Sequence, residues 1–206
     1  MTIFPADTPP GGLNFSLWFA ILKSGPRALF CNNKDMTAMY FDTHAHYGSE
    51  LYDTDRDSLI ASMPAQGVEL ILNPGCTLES SLGAVALAEK FPHVYAAVGV
   101  HPSDCQTWSE PVQDRLRELA AHPKVKAIGE IGLDYYWKDN APADLQKHVF
   151  TRQLELARET NLPVIVHNRD AHKDTMDILR QHKDVPGQHR AECGHAVKGD
   201  VAHHCH

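Results

Sequence analysis

Phe41-Asp42-Thr43-His44-Ala45-His46 follows directly on an apolar lead-in that starts at Met39. Residues two apart on an extended strand point to the same side. His44 and His46 are therefore expected to present both imidazoles on one face, at the end of a first strand. Neutral imidazole is the commonest side-chain metal ligand. The same six residues bear on the fold. A dinucleotide-binding sheet leads from its first strand into a glycine-rich loop, whereas this strand leads into His-x-His.

Outward from that stretch the chain alternates. Short apolar runs predict strands over Tyr40–Thr43, Val68–Leu72, Val94–Val100, Val125–Ile131 and Val164–Val166. Helical segments fall between them. Asp55–Gln66 carries Leu59, Ile60 and Met63 on one face and stops at Gly67. Thr77–Lys90 opens on a threonine cap, buries Leu82, Val85 and Ala86, and stops before Pro92. Pro111–Ala121 follows Ser109 with a proline in its first turn. Ala143–Thr160 has an apolar stripe of Leu145, Val149, Phe150, Leu154, Leu156 and Ala157, ended by Asn161 and Pro163. His172–His182 carries Met176 and Leu179. Strand–helix alternation predicts an α/β protein with a parallel sheet, of which five β/α units are visible.

Polar residues gather at the C-terminal ends of these strands: His44 and His46 after the first, His101 after the third, Glu130 and Asp134 on the fourth, His167 after the fifth. In a (β/α)8 barrel those ends form one rim, where active sites lie. A carboxylate between isoleucines, as in Gly129-Glu130-Ile131, is costly to bury unpaired. Inside a barrel it could form a salt bridge; between two cations it would act as a bridge. A rim of three histidines and a carboxylate suits zinc, manganese or a nickel-like ion, with magnesium where carboxylate and water dominate. Two such ions would polarise a phosphate and activate a water.

Four ordered motifs resemble the TatD family of metal-dependent hydrolases and deoxyribonucleases, within the amidohydrolase-like barrels. They are Phe41-Asp42-Thr43-His44-Ala45-His46, Val98-Gly99-Val100-His101-Pro102, Gly129-Glu130-Ile131-Gly132-Leu133-Asp134-Tyr135 and Val166-His167-Asn168-Arg169-Asp170-Ala171. The resemblance covers about Tyr40 to about Pro186. It implies a (β/α)8 TIM-type barrel, incomplete here, with two divalent ions (Mg, Mn or Zn). His44 and His46 would hold one ion, Glu130 would bridge, and His167 would hold the second. Catalytic roles extend by resemblance to Glu130, His101, Asp134 and Arg169. The implied reaction is hydrolysis of DNA phosphodiester bonds.

The resemblance predicts a sixth strand ending in a His-Cys-Phe-Ser-Gly-like motif and a later Thr-Asp, and neither follows Pro186. Residues 187–206 read instead as an aberrant His- and Cys-rich tail. His195 lies near the expected sixth-strand ligand, and His203, His204, Cys205 and His206 crowd the end. At the other end, Pro5, Pro9, Pro10, Gly11 and Gly12 are expected to break any regular element. Residues 1–39 thus read as an extension dispensable for the fold, and 40–186 as a partial barrel whose first and fifth strands keep unpaired edges. A truncated barrel without the sixth-strand histidine and the strand-eight aspartate is expected to be a poor enzyme.

Composition narrows the classes. Of 206 residues 43% are hydrophobic and 22% charged, and the net charge is −7 with histidines neutral. That excludes disorder and holding DNA by bulk charge; positive field would have to come locally, from metal ions. The five cysteines, Cys31, Cys76, Cys105, Cys193 and Cys205, form no ladder or C-x-x-C pair, which suits a reducing cytoplasm. No run approaches ~20 apolar residues, so no membrane span is expected. Two other functions compete with the DNase: an amidohydrolase acting on a C–N or other ester bond, and a fragment that binds metal without turnover.

Overall fold

The computed structural model describes residues 3–5 and 39–186. Its sheet holds β1 (Ile3–Pro5), β2 (Tyr40–Asp42), β3 (Val68–Pro74), β4 (Val94–Val98), β5 (Val125–Asp134) and β6 (Val164–Arg169), in that spatial order. Strands β2 to β6 are all parallel. Each of the four connections from β2 to β6 carries a helix: α1 (Arg56–Ser62), α2 (Leu78–Lys90), α3 (Glu110–Ala120) and α4 (Ala143–Thr160), with α5 (His172–Gln181) after β6. The result is α/β, five parallel strands curled into half a barrel, as the alternation predicts.

Period-two strands facing two environments sort their residues into two apolar clusters. The larger joins the helices to one face of the sheet, through Ile71, Val94, Ala96, Val98, Ile131, Leu116, Phe150 and Leu154. The smaller contains strand residues alone: Phe41, Leu72, Ala97 and Ala127, with Leu70, Tyr95 and Ile165 against them. It is the inner face of the half-barrel. His167 and Arg169 lie two and four residues beyond Ile165 and so share its inward face.

Several boundaries move for identifiable reasons. Helix α1 ends at Ser62 and gives way to a 3-10 turn at Pro64–Gln66, because Pro64 brings no N–H to continue an α-helix. Helix α2 starts on a reciprocal cap: Thr77 Oγ1 accepts the Ser80 N–H at 3.1 Å, and Ser80 Oγ accepts the Thr77 N–H at 2.8 Å. Its buried face is Ser81, Ala84, Val85 and Ala88; Leu82 and Ala86, expected inside, are exposed. Asn161 leaves α4 in the left-handed conformation, at φ 55°.

The edge of β2 is a correction. Ile3–Pro5, in a stretch expected to form no regular element, pairs antiparallel with β2, with Ile3 opposite Asp42 and Pro5 opposite Tyr40. A proline is tolerated on an edge strand, which does not need all of its backbone hydrogen bonds. The expected open edge on the first parallel strand is therefore occupied. The opposite edge differs: among the described residues β6 ends the sheet, and it is half-buried along its length except for exposed Asn168. The tail with His195, His203, His204, Cys205 and His206 lies outside the described residues. Among those described, no helix is long and apolar enough to cross a membrane.

Gly83 offers a direct test of α2. It is exposed in mid-helix, and a Cβ there would meet nothing within 4 Å. Gly83→Ala is expected to stabilise the chain by about 0.5–1 kcal/mol, the helix-propensity difference. Chemical denaturation reads this as a raised midpoint; a lowered one would mean α2 is packed differently.

Candidate metal centre

The His-x-His pair projects from the loop after β2, since the strand stops at Asp42. Two backbone contacts aim it. Ala45 N–H donates to the Leu72 carbonyl at 3.1 Å, and His44 N–H donates to Asp42 Oδ1 at 3.3 Å. Ala45 is buried while His44 and His46 are half-buried, so the apolar residue anchors the loop and its neighbours turn the other way. Their Nε2 atoms come within 2.9 Å of each other.

Glu130, on β5, stands between two groups of imidazoles. Oε2 lies 3.1 Å from His44 Nε2 and 3.6 Å from His46 Nε2. Oε1 lies 3.2 Å from His167 Nδ1. The other ring nitrogen of His167 is 2.9 Å from Asp134 Oδ2. Asp134 can only accept, so it takes the Nε2 proton and turns the Nδ1 lone pair of a neutral ring toward Glu130. His101 packs edge-on against His167, with ring centroids 4.3 Å apart. Two donor groups of the kind that could hold a metal ion result: His44, His46 and Glu130, and His101, Glu130 and His167. Arg169 belongs to neither; its guanidinium lies 3.8 Å over the Tyr136 ring.

The electrostatics follow from this crowding. Burial pushes the Glu130 carboxyl up, but His167, His44 and His46 outweigh burial and hold it well below the usual carboxylate range. For His167, burial lowers the pKa, and Glu130 and Asp134 together raise it above the ordinary 6.5. Despite its close imidazoles, Glu130 Oε2 is buried without a hydrogen bond of acceptable angle; Asn73 Oδ1 is the other such atom among the described residues. Two Nε2 atoms and Oε2 thus converge with edges of 2.9, 3.1 and 3.6 Å. Ligands about 2.1 Å from one ion would lie roughly 3.0–3.5 Å apart. Two imidazole nitrogens and a buried carboxylate oxygen without an aligned hydrogen bond, in a triangle of that size, fit a divalent cation.

Side chains that hold this rim in place are absent from the sequence reading. Strand β4 stops at Val98, short of the expected Val100, and two helix residues continue its backbone pairing. Ser81 Oγ accepts from Gly99 N–H at 3.1 Å. Gln153 accepts from Val100 N–H at 2.7 Å and donates to the Val100 carbonyl at 2.9 Å. His101 follows directly, its own N–H on the Cys76 carbonyl at 2.8 Å. One face of α4 repeats the device two turns earlier: Gln146 accepts from Asp134 N–H at 2.8 Å and donates to the Asp134 carbonyl at 2.9 Å. Two glutamines seven apart within an apolar stripe are the signal that would have found them. Gln153→Leu keeps the volume but leaves a buried N–H and carbonyl unpaired. It is expected to cost about 2–4 kcal/mol, read as a lower denaturation midpoint. A loss under about 0.5 kcal/mol would mean that water replaces the amide.

Comparison with known proteins follows the same residues. The family model described as TatD related DNase matches residues 41–205, beyond the stretch from about Tyr40 to about Pro186 covered by the resemblance. An uncharacterised metal-dependent hydrolase of Bacillus subtilis, YabD, is 46% identical over 143 residues, which are 69% of this chain and 56% of that protein. The 3'-5' ssDNA/RNA exonuclease TatD of Cronobacter turicensis is 43% identical over 148 residues, 71% of this chain and 56% of that one. Among solved structures, the TatD homologue YJJV of Escherichia coli k12 aligns with a TM-score of 0.66 at 32% identity, covering 71% of this chain and 56% of that one. The chain spans just over half the length of these relatives. With the family model matching most of its length, the chain belongs to the TatD-related DNase family.

Proposed function

We propose that this chain carries the metal-binding half of a hydrolase that cleaves DNA phosphodiester bonds, with residues 40–186 as the part that does the chemistry and the cytoplasm as its setting. The observation behind this reading is Glu130, whose two oxygens face two separate groups of imidazoles. His44, His46 and Oε2 would hold one divalent ion (Mg, Mn or Zn), and Oε1 with His167 Nδ1 a second. When bound, such ions supply Lewis acidity and a water of lowered pKa. They also supply the local positive charge that a chain of net charge −7 lacks.

The remaining residues take distinct roles. Asp134 holds His167 in one tautomer. Ser103 N–H donates to His101 Nδ1 at 3.2 Å, so a neutral His101 keeps its proton on Nε2. His101 then serves as a donor to a phosphate oxygen, not as a ligand. Arg169, two residues beyond His167 on the same face of β6, offers guanidinium N–H groups to the phosphate next along. The ligand His167 rides on the half-buried outermost strand of the described sheet, and a loosely supported ligand weakens catalysis. Turnover by the 206-residue chain is therefore expected to be slow.

The test uses the purified chain stripped with a chelator. Labelled nucleotide should be released from single-stranded DNA only when Mn, Mg or Zn is restored, and not by Glu130→Gln. Hydrolysis of a lactone or cyclic amide with DNA untouched would move the assignment to a C–N or other ester bond. Tight metal binding without turnover of either substrate would leave a metal-binding fragment.

A further inference from the structure

Tyr136 and Trp137 are half-exposed, at 50% and 42%, on the loop after β5. Contiguous exposed apolar surface marks binding sites, and these two neighbouring rings sit on a loop held by hydrogen bonds. Asp134 Oδ1 accepts the Tyr136 N–H at 3.0 Å and the Trp137 N–H at 3.5 Å. Asn140 closes the loop, its N–H on the Trp137 carbonyl at 3.3 Å and its side-chain amide on the Asp134 carbonyl at 3.2 Å. The rings meet at 89°, with centroids 4.8 Å apart, and so form a corner. Arg169 lies over both, 3.8 Å from the Tyr136 centroid and 5.2 Å from that of Trp137.

The corner is tied to the metal centre through one carboxylate. Asp134 holds the two aromatic N–H groups with Oδ1, while Oδ2 lies 2.9 Å from His167 Nε2. Register places Asp134 beside Arg169, and Gly132 beside His167, on neighbouring strands. An aromatic face, a guanidinium and a phosphate-polarising centre thus follow one another along a single rim. Unpaired bases stack on such faces regardless of sequence, and arginine adds charge to the stack and to the backbone phosphate. Bases inside a duplex already have both faces occupied and would have to be extruded first.

We propose that Tyr136, Trp137 and Arg169 form a stacking subsite for a nucleobase next to the phosphate that is cut. This rests on the phosphodiesterase reading above, and its test separates the two. Binding of the full 206-residue chain is measured by fluorescence anisotropy with chelator present, so that neither an ion nor hydrolysis contributes. The probes are a short labelled oligothymidylate and the same oligomer built from tetrahydrofuran sugars without bases.

The wild-type chain is expected to bind the base-bearing oligomer about tenfold more tightly, the effect of one stacked base. Trp137→Leu and Tyr136→Leu should lose that preference, and Trp137→Phe should keep most of it; unfolding midpoints confirm that each variant is folded. Equal affinity for the two oligomers, binding of neither, or a preference untouched by all three substitutions overturns the subsite. Cutting of the oligothymidylate by the manganese-loaded wild-type chain is scored separately. If it is absent while the base preference persists, the hydrolase reading fails and the subsite stands; if it is present without a base preference, the reverse holds.

Discussion

Glu130→Gln is expected to lower divalent-metal affinity more than 100-fold and to take hydrolysis to background. Residues that merely orient a ligand cost 10–100-fold in affinity when removed, and Glu130 is positioned to contribute to both ion sites at once. The glutamine is nearly isosteric, so the loss would come from charge. Its NH2 group would also point a donor where a cation needs a lone pair. Isothermal titration with Mn or Zn, on chelator-stripped wild type and variant, reads the first effect. Retention of wild-type affinity by the glutamine variant would mean that His44 and His46 bind an ion without it.

The same variant has a signature in the metal-free chain. The Glu130 carboxyl is depressed below its ordinary 4.5, so its contribution to stability is present above that value and lost as pH falls through the folded pKa. His167 is raised above its ordinary 6.5, so its contribution is present below that value and lost as pH rises through the folded pKa. Both groups are fully charged together between the two ordinary values. The stability advantage of wild type over Glu130→Gln should therefore peak in that window and shrink on either side. Metal affinity should instead increase with pH across that window, because the His167 imidazole must shed its proton to bind. Denaturant midpoints and metal titrations across pH 4–8 check the two trends.

Local signals made much of this legible in the sequence. Apolar runs of strand length, the Thr77 cap and Asn161 mark elements because short-range chemistry decides them. The rim was legible because His44, His46, His101, Glu130, Asp134 and His167 recur at one end of successive strands. What stayed hidden depends on partners far along the chain. Ser81 is buried, and Leu82 is not, because Ser81 pairs with the Gly99 backbone 18 residues away. Gln146 and Gln153 look like interruptions of an apolar stripe until the ends of β4 and β5 arrive beside them. The three-residue strand Ile3–Pro5 has no periodicity of its own, and only the free edge of β2 gives it a place. Residues 187–205, which the family model also matches, carry no apolar run of strand length to mark them in the sequence.

Gly132→Ala is expected to cost about 2–6 kcal/mol, and the reason is the partner strand. At φ +145° Gly132 sits where an L-residue is strained, and a Cβ there would lie 2.0 Å from the His167 carbonyl oxygen and 2.9 Å from its carbon. Those atoms are backbone, so no side-chain rotation relieves the clash. Strain of about 1–3 kcal/mol for the dihedral adds to about 1–3 kcal/mol for overpacking. Against a total stability of about 5–15 kcal/mol, much of the chain's margin would disappear. The one available relief is to push β6 away at His167, which is paired opposite Gly132. That movement would part His167 Nδ1 from Glu130 Oε1 while leaving His44, His46 and Oε2 in place. A folded remnant of the variant should thus keep the first ion and lose the second, so metal titration would fall by one equivalent. Gly83→Ala makes the same chemical change in open solvent and should stabilise. Opposite signs from one substitution type would locate the cost in the β5–β6 approach; a neutral Gly132→Ala would mean that the two strands are further apart at the site than described.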